Sequence, residues 1–381
     1  MKSLKINSSI AILLFINFIF CFKYSSRYSE FGFHIATILL VIQFLVFKYG
    51  NKISLSNKLK KIICFCFLFF LVSLVIISHF AISLESLNVD RWSVISSFLT
   101  ELYNGNYPYY AKSHMGNFPG PMPIYFLIAA PFHEIGELSI LSSLGYLIIT
   151  TLFIIKIEKI ENIKFLLFYF FTSLFIIWEI TTRSNVFTYS FFTLLVLNEF
   201  ISLDNKNNLK FYGIAVLTGL ILSTRSVYIL PYIIFFLSSL INKEVAFERL
   251  FFFVSFASLA FLSTFIPFIW VFQIDFFTMN PFIIQSSFLV PKFYTLLFIL
   301  ISIILALLVK NKTDKFFYSG ISLFVSILIY SIYYIVNYGI ESSFFSSKID
   351  ISYFIFCVPF LIKYLMDNSN GPEKLAIANN V

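Results

Sequence analysis

Charged residues are scarce in this sequence: Asp, Glu, Lys and Arg make up only 12% of its 381 residues. Soluble proteins average about 25% charged residues, so a water-soluble globule is excluded, because it could not cover its apolar surface. Histidine and cysteine are also rare, with four of each, and their spacing fits neither a disulfide framework nor a zinc or haem site. The sequence has no phosphate-binding glycine loop and no nucleotide-binding fingerprint. We therefore expect no metal and no resident cofactor.

The sequence is instead rich in apolar and aromatic residues: 59% are hydrophobic, with 53 Phe and 22 Tyr. A helix needs about 17–25 apolar residues to cross a bilayer. We predict an all-α polytopic membrane protein with about twelve such spans, forming a single transmembrane domain over residues 1–381. The first run is interpreted as a span because no small-residue cleavage site follows it. The predicted spans are 8–22, 31–47, 62–84, 138–155, 165–181, 186–203, 211–224, 226–241, 250–272, 293–309, 316–338 and 351–365.

The net charge of +8 indicates topology rather than a nucleic-acid partner, because the basic residues lie in short segments between apolar runs. With the N-terminus inside, the inner segments hold 19 of the 27 Lys and Arg residues. This asymmetry predicts that both termini are cytoplasmic, with 366–381 as a short cytoplasmic tail.

The arginines depart from this rule. The chain has five, and Arg27, Arg91, Arg183 and Arg225 all fall on the predicted outer side. A guanidinium offers a planar fork that suits phosphate or carboxylate, so this distribution indicates an anionic ligand at the outer face. Alternatively, Arg91 and Arg183 reach towards lipid headgroups. Glu179 lies one helical turn before Arg183, which predicts an ion pair between them.

The longest predicted loop, 85–137, is extracytoplasmic and contains two helical patterns. Apolar residues recur at helical spacing from Trp92 to Leu102, with Asp90 positioned as N-cap and Gly105 as the stop. This predicts an amphipathic helix in the outer interface, or alternatively a buried cap helix. A second apolar run, 124–132, is too short to cross the bilayer and predicts an interfacial or re-entrant helix.

Between these two helices, residues 106–123 contain four prolines, which rule out a regular helix. Aromatic and polar side chains alternate here, among them Tyr107, Tyr109, His114 and Asn117. Such a set suits a sugar or acceptor, which needs a stacking surface and hydrogen-bond partners. It suits equally an ordered loop in the aromatic belt of the membrane interface.

Asp90 itself stands just after a complete span. An ionised side chain is costly at the membrane boundary, so it needs a reason to be there. One interpretation is a helix cap. The other is a carboxylate held at the outer membrane surface, where it can take a proton.

These features resemble the GT-C family of integral-membrane glycosyltransferases, and among them mannosyltransferase-like enzymes. The resemblance depends on Asp90-Arg91-Trp92 after an N-terminal span and on Gly105-Asn106-Tyr107-Pro108-Tyr109 at the end of an amphipathic helix. It also depends on the proline-rich stretch 116–125 before a short helix, and on the helix end 217–225, which closes with Thr224-Arg225.

The resemblance implies a GT-C-like fold and a polyprenyl-phosphate sugar donor that is used on the outer side of the membrane. It implies Asp90 as the catalytic base, which takes a proton from the acceptor. The charge that grows on the leaving phosphate needs a preorganised cation, for which Arg91, Arg183 and Arg225 are the candidates. The motif lacks an Asp-x-Asp pair, so metal-independent chemistry is expected.

The resemblance also directs attention to the last outer loop, 339–350, because a late loop of the family often closes over the donor. Lys348 would then bind the donor phosphate, and Asp350 and Tyr353 would contact sugar or acceptor. The alternative is ordinary solvated loop charge.

Two other classes of function stay open. An O-antigen-type polysaccharide polymerase also has about twelve spans, but usually places its long outer loops later in the chain. A lipid-linked glycan transporter or flippase predicts charges near mid-membrane and two similar halves, and no repeat is detectable here. The expected partners are the lipid-linked donor, the bilayer, and a glycan, lipid or protein acceptor, in a bacterial inner membrane.

Overall fold

The computed structural model describes residues 2–50, 53, 55–157, 163–203, 208–288, 290–346 and 348–369. Within these ranges the chain forms helices and no strands, so the all-α prediction is confirmed. Apolar runs become helices because, inside a bilayer, every backbone N–H and C=O must find its partner within the segment. Most of the predicted tail, from residue 370 onward, lies outside the described residues.

The helices of the described ranges are, in chain order, α1 (Lys2–Ser25), α2 (Gly32–Tyr49), α3 (Asn57–Ala81), α4 (Arg91–Tyr103), α5 (Pro123–Glu134), α6 (Ser139–Ile155), α7 (Ile163–Phe171), α8 (Leu174–Thr181), α9 (Val186–Ile201), α10 (Asn208–Leu222), α11 (Ile229–Ile241), α12 (Phe247–Ser263), α13 (Ile266–Phe272), α14 (Ile274–Thr278), α15 (Pro281–Phe288), α16 (Lys292–Leu307), α17 (Lys312–Tyr338) and α18 (Val358–Ser369). Short 3₁₀ helices cover Leu84–Ser86, Pro108–Tyr110, Ser226–Tyr228 and Ile351–Cys357, and a π-helical turn covers Glu341–Phe345.

Six segments of the described chain are long and apolar enough to cross a membrane, or eight if each of two bent helix pairs is one span. The chain is thus a multi-pass membrane protein. The bent pairs are α5 with α6, at 106°, and α7 with α8, at 58°. Each of the twelve predicted spans contains an apolar helix, but α9, α10, α11 and α16 are shorter than a full crossing. The predicted short helices of the first large loop correspond to α4 and α5.

Helix α1 packs against α2, α8 and α18 and connects both ends of the bundle. In its middle, buried Asn17 donates to the Tyr169 hydroxyl at 2.7 Å and to Ser173, in the break between α7 and α8, at 3.1 Å. At its start, Lys5 forms an ion pair with Asp314 of α17 at 2.6 Å. Its last turn carries Lys23 to the opposite end of the bundle. The two ends of α1 are therefore held by separate sets of contacts.

Breaking the buried Lys5–Asp314 pair is expected to destabilise the protein by roughly 3–5 kcal/mol, because Asp314 would stay buried without its cation. Lys5→Met should therefore lower the midpoint of thermal unfolding in detergent. The double variant Lys5→Met/Asp314→Asn should recover much of the loss. Equal losses in the single and double variants would contradict this account.

The predicted span 351–365 begins as a 3₁₀ helix rather than an α-helix. Side chains at i and i+3 eclipse in a 3₁₀ helix, so Asp350, Tyr353 and Phe356 form one row. The segment packs against α9 and α17, and the Ser190 hydroxyl of α9 donates to the Phe356 carbonyl at 2.6 Å. This row forms part of a cavity wall.

Candidate functional site

A cavity of about 470 Å³ lies where the first large loop meets α1, α8, α15, α17 and the 3₁₀ helix Ile351–Cys357. This volume is in the range of small-molecule sites. Of the eleven site residues predicted from the sequence, seven line it: Asp90, Arg91, Asn117, Arg225, Lys348, Asp350 and Tyr353. The long-range fold thus joins residues from four distant stretches of sequence.

The Asp90 carboxylate is held by the loop that follows α4. Its Oδ2 accepts hydrogen bonds from the Ser113 hydroxyl at 2.9 Å and from the Asn117 amide at 2.6 Å. Among the described residues, both side-chain hydrogen bonds to this carboxylate end on Oδ2, so Oδ1 is the oxygen left to accept a proton. Although Asp90 occupies the N-cap position of α4, its side chain makes no capping hydrogen bond to that helix.

The loop is stiffened by His114, which does not line the cavity. Its Nδ1 lies 2.7 Å from the Ser93 hydroxyl, its Nε2 lies 3.1 Å from the Leu87 carbonyl, and its ring stacks on Trp92. These contacts attach the loop to both sides of the start of α4. The structure therefore gives His114 the position of a support for the Asp90 region rather than of a sugar contact.

Arg91 points from the start of α4 to the row of the 3₁₀ helix. It pairs with Asp350 at 2.5 Å, and the same nitrogen, Nη2, donates to the Ser352 hydroxyl at 2.5 Å. Burial opposes ionisation of Asp350, but the Arg91 charge and the Ser352 hydrogen bonds outweigh it and hold the pKa of this carboxyl below its usual value. Arg91 is only 7% exposed, yet its Nε and Nη1 have no partner among the described residues. These two buried donors therefore lack an acceptor within those ranges.

Arg225 lies between aromatic rings rather than beside a carboxylate. Its guanidinium carbon is 5.0 Å from the ring centre of Tyr125 and 5.7 Å from that of Phe356. Tyr125 in turn stacks on Tyr189 at 4.7 Å, and Phe356 stacks on Tyr353 at 5.6 Å. Within the described part of the chain no acidic side chain forms an ion pair with Arg225. The π faces attract the cation without neutralising it, so its full charge is left for an anionic ligand.

Two lysines add to this positive charge. Lys23, at the end of α1, is 1% exposed; its Nζ donates to the Ile349 carbonyl at 3.3 Å and lies 5.5 Å from the Phe344 ring centre. Lys348 is exposed and lies 4.1 Å from the Tyr338 ring centre. The lining residues thus supply four cations and two carboxylates, a net positive charge that suits an anion.

Sequence reasoning missed Lys23 and the aromatic wall. The signal for Lys23 was present, because it is one of the eight basic residues on the predicted outer side. The wall residues Tyr24, Tyr125, Trp178 and Tyr330 carried no such signal, since one residue in five of this chain is aromatic.

Arg183 lies away from the cavity. It pairs with Glu137 at 3.3 Å and donates to backbone carbonyls of Ser78 and Thr181. The predicted Glu179–Arg183 pair is wrong: α8 ends at Thr181 and Arg183 has a φ of +57°, so the helical spacing is lost.

Glu179 instead accepts from the Tyr146 hydroxyl at 2.7 Å and from the Val186 N–H, at the start of α9, at 2.8 Å. It therefore connects α6, α8 and α9, and its carboxylate is satisfied by neutral donors.

Tyr107 and Tyr109 also lie outside the cavity lining. Tyr109 is fully buried and its hydroxyl donates to the Pro121 carbonyl at 3.3 Å. Tyr107 donates to the Met279 carbonyl, which attaches the loop to the α14–α15 segment. Both tyrosines position the loop rather than face a ligand.

The Glu137 cluster gives a pH prediction. Burial opposes ionisation of Glu137, but the hydrogen bond from the Ser139 N–H, the Arg183 charge and His79 together hold the pKa of Glu137 below its usual value. A depressed folded-state pKa adds stability that is present above the unfolded pKa, about 4.3, and is lost as the pH falls through the folded value. The thermal-stability advantage of the wild type over Glu137→Gln is therefore expected to be constant near neutral pH and to shrink in acid. An advantage that grows in acid would contradict it.

Comparisons with protein-family models, with curated proteins and with solved structures found no match for this chain. Any assignment of function therefore depends on the residues and their geometry.

Proposed function

We propose that this protein is a membrane glycosyltransferase that moves a monosaccharide from a polyprenyl-phosphate carrier to an envelope lipid, glycan or protein acceptor. The observation that carries the proposal is the cavity, in which the Asp90 carboxylate and an uncompensated Arg225 guanidinium line one space between apolar helices. A base and a phosphate-binding cation are the two groups that such a transfer needs.

In the proposed reaction, Asp90 takes the proton of an acceptor hydroxyl while the acceptor oxygen bonds to the anomeric carbon of the sugar. The bond between that carbon and the phosphate oxygen breaks, and its electron pair leaves with polyprenyl phosphate. A single displacement inverts the anomeric centre. Arg225, with the unpaired N–H groups of Arg91, stabilises the charge that develops on the leaving phosphate. No step requires a metal or a cofactor.

The remaining predicted residues are assigned around this reaction. Asn117 holds Asp90, and Asp350 holds Arg91, so both act on the chemistry through a neighbour. Tyr353 lies between Arg91 and Phe356 in the stack, and its hydroxyl is the group that we assign to sugar or acceptor. Arg183 is left out because it is bound to Glu137.

A lipid-linked donor is supported by what surrounds the cavity. Ile327, Tyr330 and Tyr334 of α17 and Ile284 of α15 contribute to its wall, and α17 is long and apolar enough to cross the membrane. A sugar phosphate can thus occupy the polar part while its prenyl chain remains among apolar helices. A water-soluble donor has no apolar chain to place among these helices.

We further propose a GT-C-like arrangement of twelve spans, in which the four shorter apolar helices also cross the membrane. Local thinning of the bilayer and snorkelling of flanking side chains accommodate short helices at modest cost. An even number of crossings leaves both termini on one side, and the lysine-rich segments make that side cytoplasmic. The cavity then opens on the outer side of a bacterial inner membrane, where a sugar already flipped on its carrier is available.

The experiment is a donor panel. Purified protein in lipid nanodiscs is given labelled polyprenyl-phosphate sugars and membrane extract as the acceptor source, and release of polyprenyl phosphate is measured. The expected result is release from one donor that requires the acceptor source. Release from none, with folded protein and several acceptor sources, would contradict the proposal. Elongation of a lipid-linked oligosaccharide would instead support a polymerase, and movement of such a lipid across vesicles without bond cleavage would support a flippase.

A further inference from the structure

Among the residues that the structure describes, buried Lys23 has no counter-charge of its own. A lysine that is 1% exposed is costly to keep ionised unless a partner compensates it. Within the described ranges its polar contacts are one backbone carbonyl and one aromatic ring, which together use only part of the capacity of an ammonium group with three donors. In a membrane protein such a residue indicates a function by default.

Asp350 is the carboxylate that acts most strongly on Lys23, but its oxygens are already engaged. Oδ2 accepts from Arg91, and Oδ1 accepts from both the backbone N–H and the hydroxyl of Ser352. Of the three cations near Asp350, which are Arg91, Lys23 and Lys348, its carboxylate thus compensates only Arg91. Within the described ranges neither Lys23 nor Lys348 forms an ion pair, although both lie beside Ile349 and line the cavity.

These lysines lie at the opposite end of the 3₁₀ row from Arg225. Lys348 and the Lys23 contact at Ile349 adjoin Asp350, the first residue of the row, whereas Arg225 lies against Phe356, the last. A 3₁₀ helix rises about 2.0 Å per residue, so the backbone at Asp350 and the backbone at Phe356 are separated by roughly 12 Å. The two phosphorus atoms of a diphosphate share one bridging oxygen and cannot span this distance. An anion bound at the lysine end is therefore separate from the phosphate bound at Arg225.

We propose that Lys23 and Lys348 bind an anionic group, a phosphate or a carboxylate, on the acceptor. This inference rests on the proposed function, in which Arg225 binds the donor phosphate, and it moves Lys348 from the donor role expected from the sequence to the acceptor. The Arg91–Asp350 pair then separates two anion sites of one cavity, with the Asp90 carboxylate close to Arg91. The acceptor is a phosphorylated or acidic glycan or lipid rather than a neutral one.

The test measures the binding of two anions to the same protein, in nanodiscs of neutral lipid. A short-chain prenyl monophosphate probes the Arg225 site, and labelled inorganic phosphate, added with the prenyl phosphate at saturation, probes the lysine site. Lys348→Met is the main variant because this side chain is exposed and its loss should not affect folding. Lys292→Met is the matched control, an exposed lysine at the start of α16 that does not line the cavity. Lys23→Met is the second variant.

We expect inorganic phosphate to bind beside the prenyl phosphate, and Lys348→Met to weaken it about tenfold, as for one charge-assisted contact worth about 1.4 kcal/mol. Prenyl phosphate affinity should not change in this variant. Competition between the two anions, no phosphate binding, or equal effects of Lys348→Met and Lys292→Met would each overturn the inference. A prenyl diphosphate that binds more tightly than the monophosphate, and loses this advantage in Lys348→Met, would assign the site to the donor and overturn the acceptor role.

Failure of the underlying function has a different signature. Arg225→Met should weaken prenyl phosphate and leave inorganic phosphate in place. If Arg225→Met has no effect on prenyl phosphate, the donor site is wrong, whatever the lysine variants do.

Discussion

Asp90→Asn is expected to lower kcat for sugar transfer by roughly 10²–10⁴-fold, the usual contribution of a positioned general base. The asparagine oxygen can still accept the hydrogen bonds of Ser113 and Asn117, so the loop should keep its position, but an amide cannot take the acceptor proton. The KM for the donor should change little, because the donor phosphate is assigned to Arg225. The measurement is the initial rate of polyprenyl phosphate release across donor concentrations.

Asp275→Asn is the matched control for this substitution. Asp275 lies on the predicted outer side and accepts from the Tyr110 hydroxyl at 3.2 Å, but it does not line the cavity. Its loss should leave kcat unchanged. Ser113→Ala should reduce kcat less than Asp90→Asn, because Asn117 still holds the carboxylate. Equal rates in Asp90→Asn and wild type, with unchanged thermal stability, would be compatible with glycosyltransferase activity but would show that Asp90 is not the catalytic base.

The positions of the membrane helices could be predicted from the sequence because a long apolar run has few alternatives in a bilayer. Helix α4 could also be predicted, since apolar periodicity and Gly105, which adopts a φ of +75°, set its limits. The 3₁₀ start of the last span could not. An apolar run such as 351–357 is compatible with an α-helix and with a 3₁₀ helix. Which of the two forms depends on packing against α9 and α17.

The charged part of the site could be predicted in large measure because charge in apolar surroundings is rare and conspicuous. Asp90, Arg91 and Arg225 stood out in this way, whereas Asp350 was indicated by the resemblance to a family with a late outer loop. The fold brings all four to one cavity. Arg183 stood out equally, but its contact with Glu137 depends on the sharp bend between α5 and α6, in which Glu137 lies, and no local pattern encodes this bend.

The aromatic part of the site could not be predicted from the sequence, for the opposite reason. Tyr125 and Phe356 look like any other aromatic residues of this chain, yet they hold the guanidinium of Arg225. Only their position after folding distinguishes them from packing residues.

Arg225→Met is expected to reduce kcat/KM by about 10²–10³-fold, the effect of removing one preorganised group that stabilises developing charge. Arg225→Lys should recover only part of this, because a lysine keeps the charge but lacks the planar fork and the stacking surface. Phe356→Leu keeps Arg225 but removes one of its two π partners, so it should give a smaller loss, seen mainly in kcat. These rates are measured with the donor that wild type accepts.

The matched control for these variants is Arg249→Met. Arg249 also lies over an aromatic ring, with its guanidinium carbon 4.8 Å from the centre of the Phe211 ring, but it lies on the predicted inner side and outside the cavity lining. Its loss tests whether removal of any ring-stacked arginine from this bundle slows the reaction. If Arg249→Met and Arg225→Met reduce activity equally, the effect is one of folding. If only Arg225→Met does so and Arg225→Lys restores full activity, charge alone is sufficient, and the stacked geometry is not what makes Arg225 effective.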